Sequence, residues 1–506
     1  MYRKSYLLLC LILLALEATA KPNIKNLEKE DLAFSDFLIK QAEIADQYDS
    51  EEHRVGDLPW ANGELPLERH YAGYIHIRSF EAFQKKGNAS LWLQGGPGSS
   101  SMIGLFNEMG PFNVTSDMKL IRNSHTWNKN YGMLFIDQPV GTGYSFVDPP
   151  CQTILTDAES SHVYQCQGEN DGNHWKHKKS TSLEQTIIRK IESFFISRKS
   201  HHTKNDDPCY MEGYASNQKG ISKDLLVFLQ KFYQRYPEQK LGELYIAGES
   251  YAGKYVPSFA TAIHKHNTYL RQYRKYGDIF PLAGIAIGSG LTDPITQVKV
   301  LGEQAYQFGL VSRSDADHIN QLAAQVVIQI QKNDFLGARE IRNRMFGYWQ
   351  NVTGIMNYYD IRRTKMQNDW SLMERFLNIP EIKKAVNVGN RRYYKDASGD
   401  IMKSTAHLFP MLIENYKVVL FQGNMDFRDG VVGNSEWLYS LEFKGAEIFR
   451  KKPRKIWRID DNVVGYSTQS RNLSRIIFLQ SGHYIPLDQP IASLEMITRF
   501  IENDPF

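Results

Sequence analysis

The chain has 506 residues, 42% hydrophobic and 23% charged, a balance that excludes disordered, collagen-like and coiled-coil classes and allows a large buried core. Its 60 Lys and Arg against 56 Asp and Glu leave a formal charge of +4, and no basic run is long enough to follow a phosphate backbone, which argues against nucleic acid as a partner. The length suits two or three domains, or one α/β enzyme carrying an inserted cap.

Residues 1–20 read as a signal peptide. Arg3 and Lys4 precede an apolar run at 7–16, and Ala18-Thr19-Ala20 supplies the small residues of a cleavage site. That run is shorter than the roughly 20 residues a bilayer requires, and the next best stretch, 282–287, is broken by Gly284 and followed by Gly288, so no membrane anchor is expected. The protein is expected in the secretory pathway, extracellular or in a lysosome-like compartment. Sequons begin at Asn88, Asn113, Asn351 and Asn472, candidate glycosylation sites where exposed. Of the four cysteines, Cys10 lies in the leader and Cys151, Cys166 and Cys209 share one stretch, so packing rather than disulfides must hold the core.

The first buried strand is predicted at 90–93. It runs into Gln94-Gly95-Gly96-Pro97-Gly98, where a glycine pair lets backbone N–H groups approach a developing oxyanion. A second strand follows at 133–136. Residues 151–209, rich in His, Lys, Ser and Asn and poor in apolar periodicity, read as a disordered insert. The histidines there (His162, His174, His177, His201, His202) and the three cysteines match no ligand spacing, so no metal is expected. Ile221, Leu225, Phe228, Leu229, Phe232 and Tyr236 share one helical face, and Pro237 stops that helix. Strands are predicted next at 244–247 and 283–287. Residues from about 298 to 405 look mainly helical and separate two strands that should be neighbours, as a cap over an active site would. Strands at 418–421 and 476–479 follow, then a last helix carrying Leu494, Ile497 and Ile501. Strands alternating with helices predict a mostly parallel sheet covered on both faces, with ligands bound beyond the carboxyl ends of the strands.

Chemistry gathers at those ends. Gly248-Glu249-Ser250-Tyr251-Ala252 joins a strand to a helix start, with small residues on either side of Ser250, the pattern of a nucleophile elbow. The same glycines open a G-x4-G-K string, but a phosphate loop needs Ser or Thr next and position 255 is Tyr. A serine nucleophile needs a base and a carboxylate to hold it, and in this fold they follow in the order Ser, Asp, His. Asp426 follows the strand at 418–421 and His483 the strand at 476–479. Asp429 competes for the acid role, and Asp426 is preferred because it lies nearer the strand end.

The segments Gly248-Glu-Ser-Tyr-Ala-Gly-Lys-Tyr-Val-Pro, Trp92-Leu-Gln-Gly-Gly-Pro-Gly, Asp137-Gln-Pro-Val-Gly-Thr-Gly-Tyr-Ser-Phe and Ser481-Gly-His-Tyr-Ile-Pro closely resemble the serine carboxypeptidases. Asn351-Val-Thr-Gly-Ile-Met-Asn-Tyr-Tyr-Asp is similar to their vitellogenic-like and venom branch. The resemblance spans about 50–150 and about 213 to the end. It implies an α/β-hydrolase fold with a helical cap over residues 21–506, no metal or organic cofactor, and peptide or protein C-termini as substrates. It implies the triad Ser250, Asp426 and His483, and an oxyanion hole from the N–H groups of Gly96 and Tyr251. It also implies that Gln94, Glu108 and Glu249 bind the substrate's free carboxylate. Gln94 replaces the family's usual Asn and is one methylene longer. Ser99 replaces its usual Cys. Two glutamates facing a third carboxylate must retain a proton, which predicts peptidase activity at roughly pH 4–6. Competing readings are an acyltransferase or esterase on the same fold, and a noncatalytic secreted venom or storage protein. The complete triad argues against the last.

Overall fold

The apolar runs form the middle of a ten-stranded sheet. The computed structural model describes residues 70–75, 78–83, 88–145, 152–153, 164–165, 215, 217–366, 370–388, 394–395 and 400–506. The expected signal peptide, all four cysteines and nearly all of the expected insert at 151–209 lie outside the described residues. Val147–Tyr214 is a unit of its own, and within it Gln152–Thr153 pairs antiparallel with Tyr164–Gln165.

In chain order the strands of the large sheet are β1 (His70–Ile75), β2 (Arg78–Phe83), β3 (Ala89–Leu93), β4 (Gly132–Ile136), β5 (Leu244–Glu249), β6 (Leu282–Gly288), β7 (Lys417–Gly423), β8 (Lys455–Ile459), β9 (Asn462–Ser470) and β10 (Leu473–Phe478). They lie in the order β1-β2-β4-β3-β5-β6-β7-β10-β9-β8. The six from β4 to β10 pair in parallel, and antiparallel hairpins add to both edges. All six predicted strands are present. The edge hairpins were not predicted. β8 and β9 are only partly buried and mix polar with apolar residues, so they carry no continuous apolar run.

Alternation along each strand feeds two cores. β3 sends Leu91 and Leu93 to one face and Trp92 to the other, and β4 divides Leu134 and Ile136 from Met133 and Phe135 in the same way. The first face is covered by α1 (Gln218–Arg235) and α2 (Ala252–Tyr273). α1 begins on the Asn217 side chain, which accepts from the Gly220 N–H, and stops before Pro237 as predicted. Between β6 and β7 come the helices Pro294–Lys299 and Leu301–Gln307, then α3 (Arg313–Gln331) and α4 (Phe335–Thr353). They pack around their own core of Ile319, Val326, Met345 and Trp349. β6 and β7 are nevertheless parallel neighbours. The chain then adds α5 (Phe409–Asn415) and α6 (Val431–Ser440) to the first face, and α7 (Pro490–Glu502) covers the second.

Candidate active site

The carboxyl ends of β3, β5, β7 and β10 lead directly to Gln94, Ser250, Asp426 and His483. At the end of β5 the chain turns at Ser250 in the left-handed region, φ +62°, and enters α2. The turn is fastened by the Ser250 N–H on Gly288 O (2.9 Å) and by Gly253 and Leu291 N–H groups on Ser250 O (2.9 Å each). A Cβ at position 248 would stand 2.6 Å from Ala252 Cβ and 2.4 Å from Leu93 O, so the small flanking residues are a steric requirement of the turn. A Cβ at position 95 would stand 2.6 Å from Tyr251 N and 2.7 Å from Ser250 Cβ. The glycine turn after β3 therefore lies against the serine turn, with Gly96 at φ +112°.

Asp426 and His483 are brought together. Asp426 Oδ2 is 2.7 Å from His483 Nδ1, and both side chains are fully buried. Asp426 Oδ1 accepts from the Arg428 and Asp429 N–H groups at 2.9 and 3.2 Å, which fixes the carboxylate plane. Asp429 is committed elsewhere, its carboxylate pairing with Arg342 (3.4 Å) and Arg428 (3.3 Å). A Cβ at Gly423 would stand 1.9 Å from Gly482 O, so the two loops touch backbone to backbone. His483 Nε2 is buried and has no hydrogen-bond partner among the described residues.

Gln94, Glu108 and Glu249 also converge, and all three are buried. Gln94 Nε2 donates to Glu249 Oε1 at 2.8 Å and to Glu108 Oε1 at 3.3 Å. The Trp92 indole N–H donates to Gln94 Oε1 at 2.8 Å and fixes which end of the amide faces the carboxyls. Burial pushes Glu108 up to about 8, against hydrogen bonds from Glu249 and Gln94 that pull it down. Burial, then the charge of Glu108, holds Glu249 well above the ordinary carboxylate range. The pair therefore retains protons at pH values where exposed carboxyls are ionised. Burial is the cause: Glu108, alone a surface residue by type, ends the π-helical turn Gly104–Glu108 and is drawn into the interior.

Sequence reasoning missed Trp92, Arg428 and Tyr359. Tyr359 lies in the Asn351-to-Asp360 motif, noted above only for its likeness, and its ring is 4.8 Å from that of His483. Trp92 reads only as a strand residue, and no periodicity marks the loop residues Arg428 and Tyr359. Among the sequons, Asn351 and Asn472 are exposed, and Asn88 and Asn113 are half-buried.

The sequence profile of the serine carboxypeptidases matches residues 63–181 and 200–503. A Dictyostelium discoideum protein named "Probable serine carboxypeptidase CPVL" is 33% identical over 82% of this chain and 73% of its own length. Its Homo sapiens namesake is 31% identical over 88% and 85%. The "Venom serine carboxypeptidase" of Apis mellifera is 29% identical over 88% and 84%. In fold the chain is similar to a prohormone-processing carboxypeptidase from Saccharomyces cerevisiae, with a TM-score of 0.70 at 22% identity, covering 90% of this chain and 97% of that one. No helix among the described residues is long and apolar enough to cross a membrane.

Proposed function

The chain belongs to the serine carboxypeptidase family and is a serine-type carboxypeptidase of α/β-hydrolase fold, and from this premise we propose that it releases C-terminal amino acids from peptides through an acyl-enzyme on Ser250. His483 Nε2 takes the Ser250 hydroxyl proton as Oγ attacks the scissile carbonyl, and Asp426 holds the Nδ1–H tautomer and stabilises the imidazolium. The N–H groups of Gly96 and Tyr251 receive the oxyanion. His483 then gives its proton to the leaving amine, and the free amino acid departs. Water, deprotonated by the same imidazole, releases the shortened peptide from Ser250.

The observation that carries this reading is the buried, proton-retaining pair Glu108 and Glu249 beside Gln94, with Glu249 adjacent in the chain to Ser250. Neutral carboxyls and an amide N–H can donate to a peptide's terminal carboxylate, whereas two ionised ones would repel it. An enzyme acting on uncharged esters has no use for such a site. The residues at 1–20 support secretory entry, extracellular or to a lysosome-like compartment, and the exposed Asn351 and Asn472 suit glycosylation. Matched peptides with free and amidated C-termini test the assignment. Strong preference for the free acid, lost with labelling by an organophosphonate in Ser250→Ala, is expected. Equal turnover of the amide would overturn the role given to Gln94, Glu108 and Glu249 as the site that reads the terminal carboxylate.

A further inference from the structure

The segment 358–361, between α4 and β7, bonds to both loops that carry the acid–base pair. On the acid side, the Phe427 and Arg428 N–H groups donate to Tyr358 O at 3.2 and 3.1 Å, and the Ile361 N–H donates to Met425 O at 3.1 Å. On the histidine side, the His483 N–H donates to Tyr359 O at 2.8 Å. Contact there is close: a Cβ at Gly482 would stand 2.7 Å from both Tyr359 O and Asp360 Cβ. The Tyr359 ring meets the imidazole edge to face at 4.8 Å and 60°, and Arg428 Nη1 donates to its phenol oxygen at 2.9 Å.

We propose that segment 358–361 splints the two loops together and that Tyr359 is a positioning residue for His483. The inference rests on the triad reading and adds the part that orients it. A closed circuit runs from the His483 N–H to Tyr359 O, from the Tyr359 phenol to the Arg428 guanidinium, from the Arg428 N–H to Asp426 Oδ1, and from Asp426 Oδ2 back to His483 Nδ1. Two of these contacts hold His483 and two hold Asp426, so the direction of Nε2 is set by the strap as well as by the acid. A second fastening lies behind it. Arg362 bridges the carboxylates of Asp360 and Asp488 at 2.8 Å each, and Asp488 accepts from the Gly482 N–H at 2.7 Å. The imidazole is thereby gripped through the residue before it and through its own backbone and ring.

The test uses the full-length protein, with kcat expressed per site titrated by an organophosphonate, so that misfolded molecules are not counted. Tyr359→Phe keeps the ring and strap but loses the Arg428 bond, and Tyr359→Leu also loses the ring. Expected are kcat losses of about fivefold and about a hundredfold, equal for peptide and ester, with KM within about twofold, because a misaimed base slows the chemistry and leaves binding alone. A purely structural role would lower the melting temperature and leave kcat per site unchanged, and that result overturns the proposal. Should Tyr359→Leu not fold, unchanged kcat in Tyr359→Phe overturns it alone. His483→Ala separates the two levels. If that variant is inactive while the Tyr359 variants turn over normally, only the splint is wrong; if it stays active, the triad reading falls and the splint with it.

Discussion

Asp426 and Asp429 sit on one loop and are chemically alike, yet their surroundings give them different work. Asp426 faces the imidazole with one oxygen and two backbone N–H groups with the other, while Asp429 pairs with the buried Arg342 and the half-buried Arg428. Asp426→Ala is expected to lower kcat by about three to four orders of magnitude with little change in melting temperature, since an unsupported imidazole loses its tautomer and direction. Asp429→Ala should do the reverse, destabilising the fold by about 3 kcal/mol by leaving the buried Arg342 cation without its carboxylate, while sparing much of kcat per active site. Kinetics and thermal melts on the two variants decide the matter, and a swap of phenotypes would move the acid role to Asp429. Glu108 gives a second prediction at this scale. Its proton is held to about pH 8 in the folded chain and is lost near the ordinary 4.5 in the unfolded one. The unfolded state therefore binds fewer protons between those values, and stability falls as pH rises from about 4.5 to about 8. The KM for peptides with a free terminus should also rise above about pH 8, as Glu108 loses its donor proton and gains a charge that repels the substrate carboxylate. Glu108→Gln should flatten both dependences, which melts and peptide kinetics across pH 5–9 would measure. An unchanged slope would mean that Glu108 does not carry the titration.

At the scale of elements, the nucleophile depends on how closely β3, β5 and α2 can approach. The gap at Gly248 is bounded by Leu93 O and by Ala252 Cβ, neither of which can swing aside as a long side chain could. Gly248→Val is expected to abolish organophosphonate labelling and to reduce soluble yield, because the turn must open to admit the side chain. Wild-type labelling in a folded Gly248→Val protein would show that the elbow tolerates a different backbone. The requirement for small residues there was legible in the sequence, as were the six inner strands, because strands covered on both faces read as near-continuous apolar runs. The edge hairpins were hidden by their mixed faces. Glu108 was named through the family resemblance, but its burial was not legible, because a π-helical turn rather than its residue type draws it inside. Tyr359 and Arg428 were hidden for a further reason: their partners are distant in the chain, and loop residues held by backbone hydrogen bonds leave no pattern.

At the scale of the whole molecule, long stretches inserted between sheet strands need not disturb the sheet. β6 and β7 pair in register across all of α3, α4 and the segments that follow them. A second interruption lies between β4 and α1. Composition sets 151–209 apart as an insert, but the family profile runs to 181 and resumes at 200, leaving only 182–199 outside it. Loop-closure entropy depends only on the logarithm of length, so shortening the 147–214 unit by that stretch alters stability by about 0.3 kcal/mol. Joining residue 181 to residue 200 is therefore expected to leave the melting temperature within about 2 °C of the parent and kcat/KM on peptides unchanged. Thermal melts and peptide kinetics on the shortened chain check both. A fall of more than about 5 °C, or loss of soluble protein, would show that 182–199 packs as part of the fold and that its absence from the family pattern marks an addition specific to this chain.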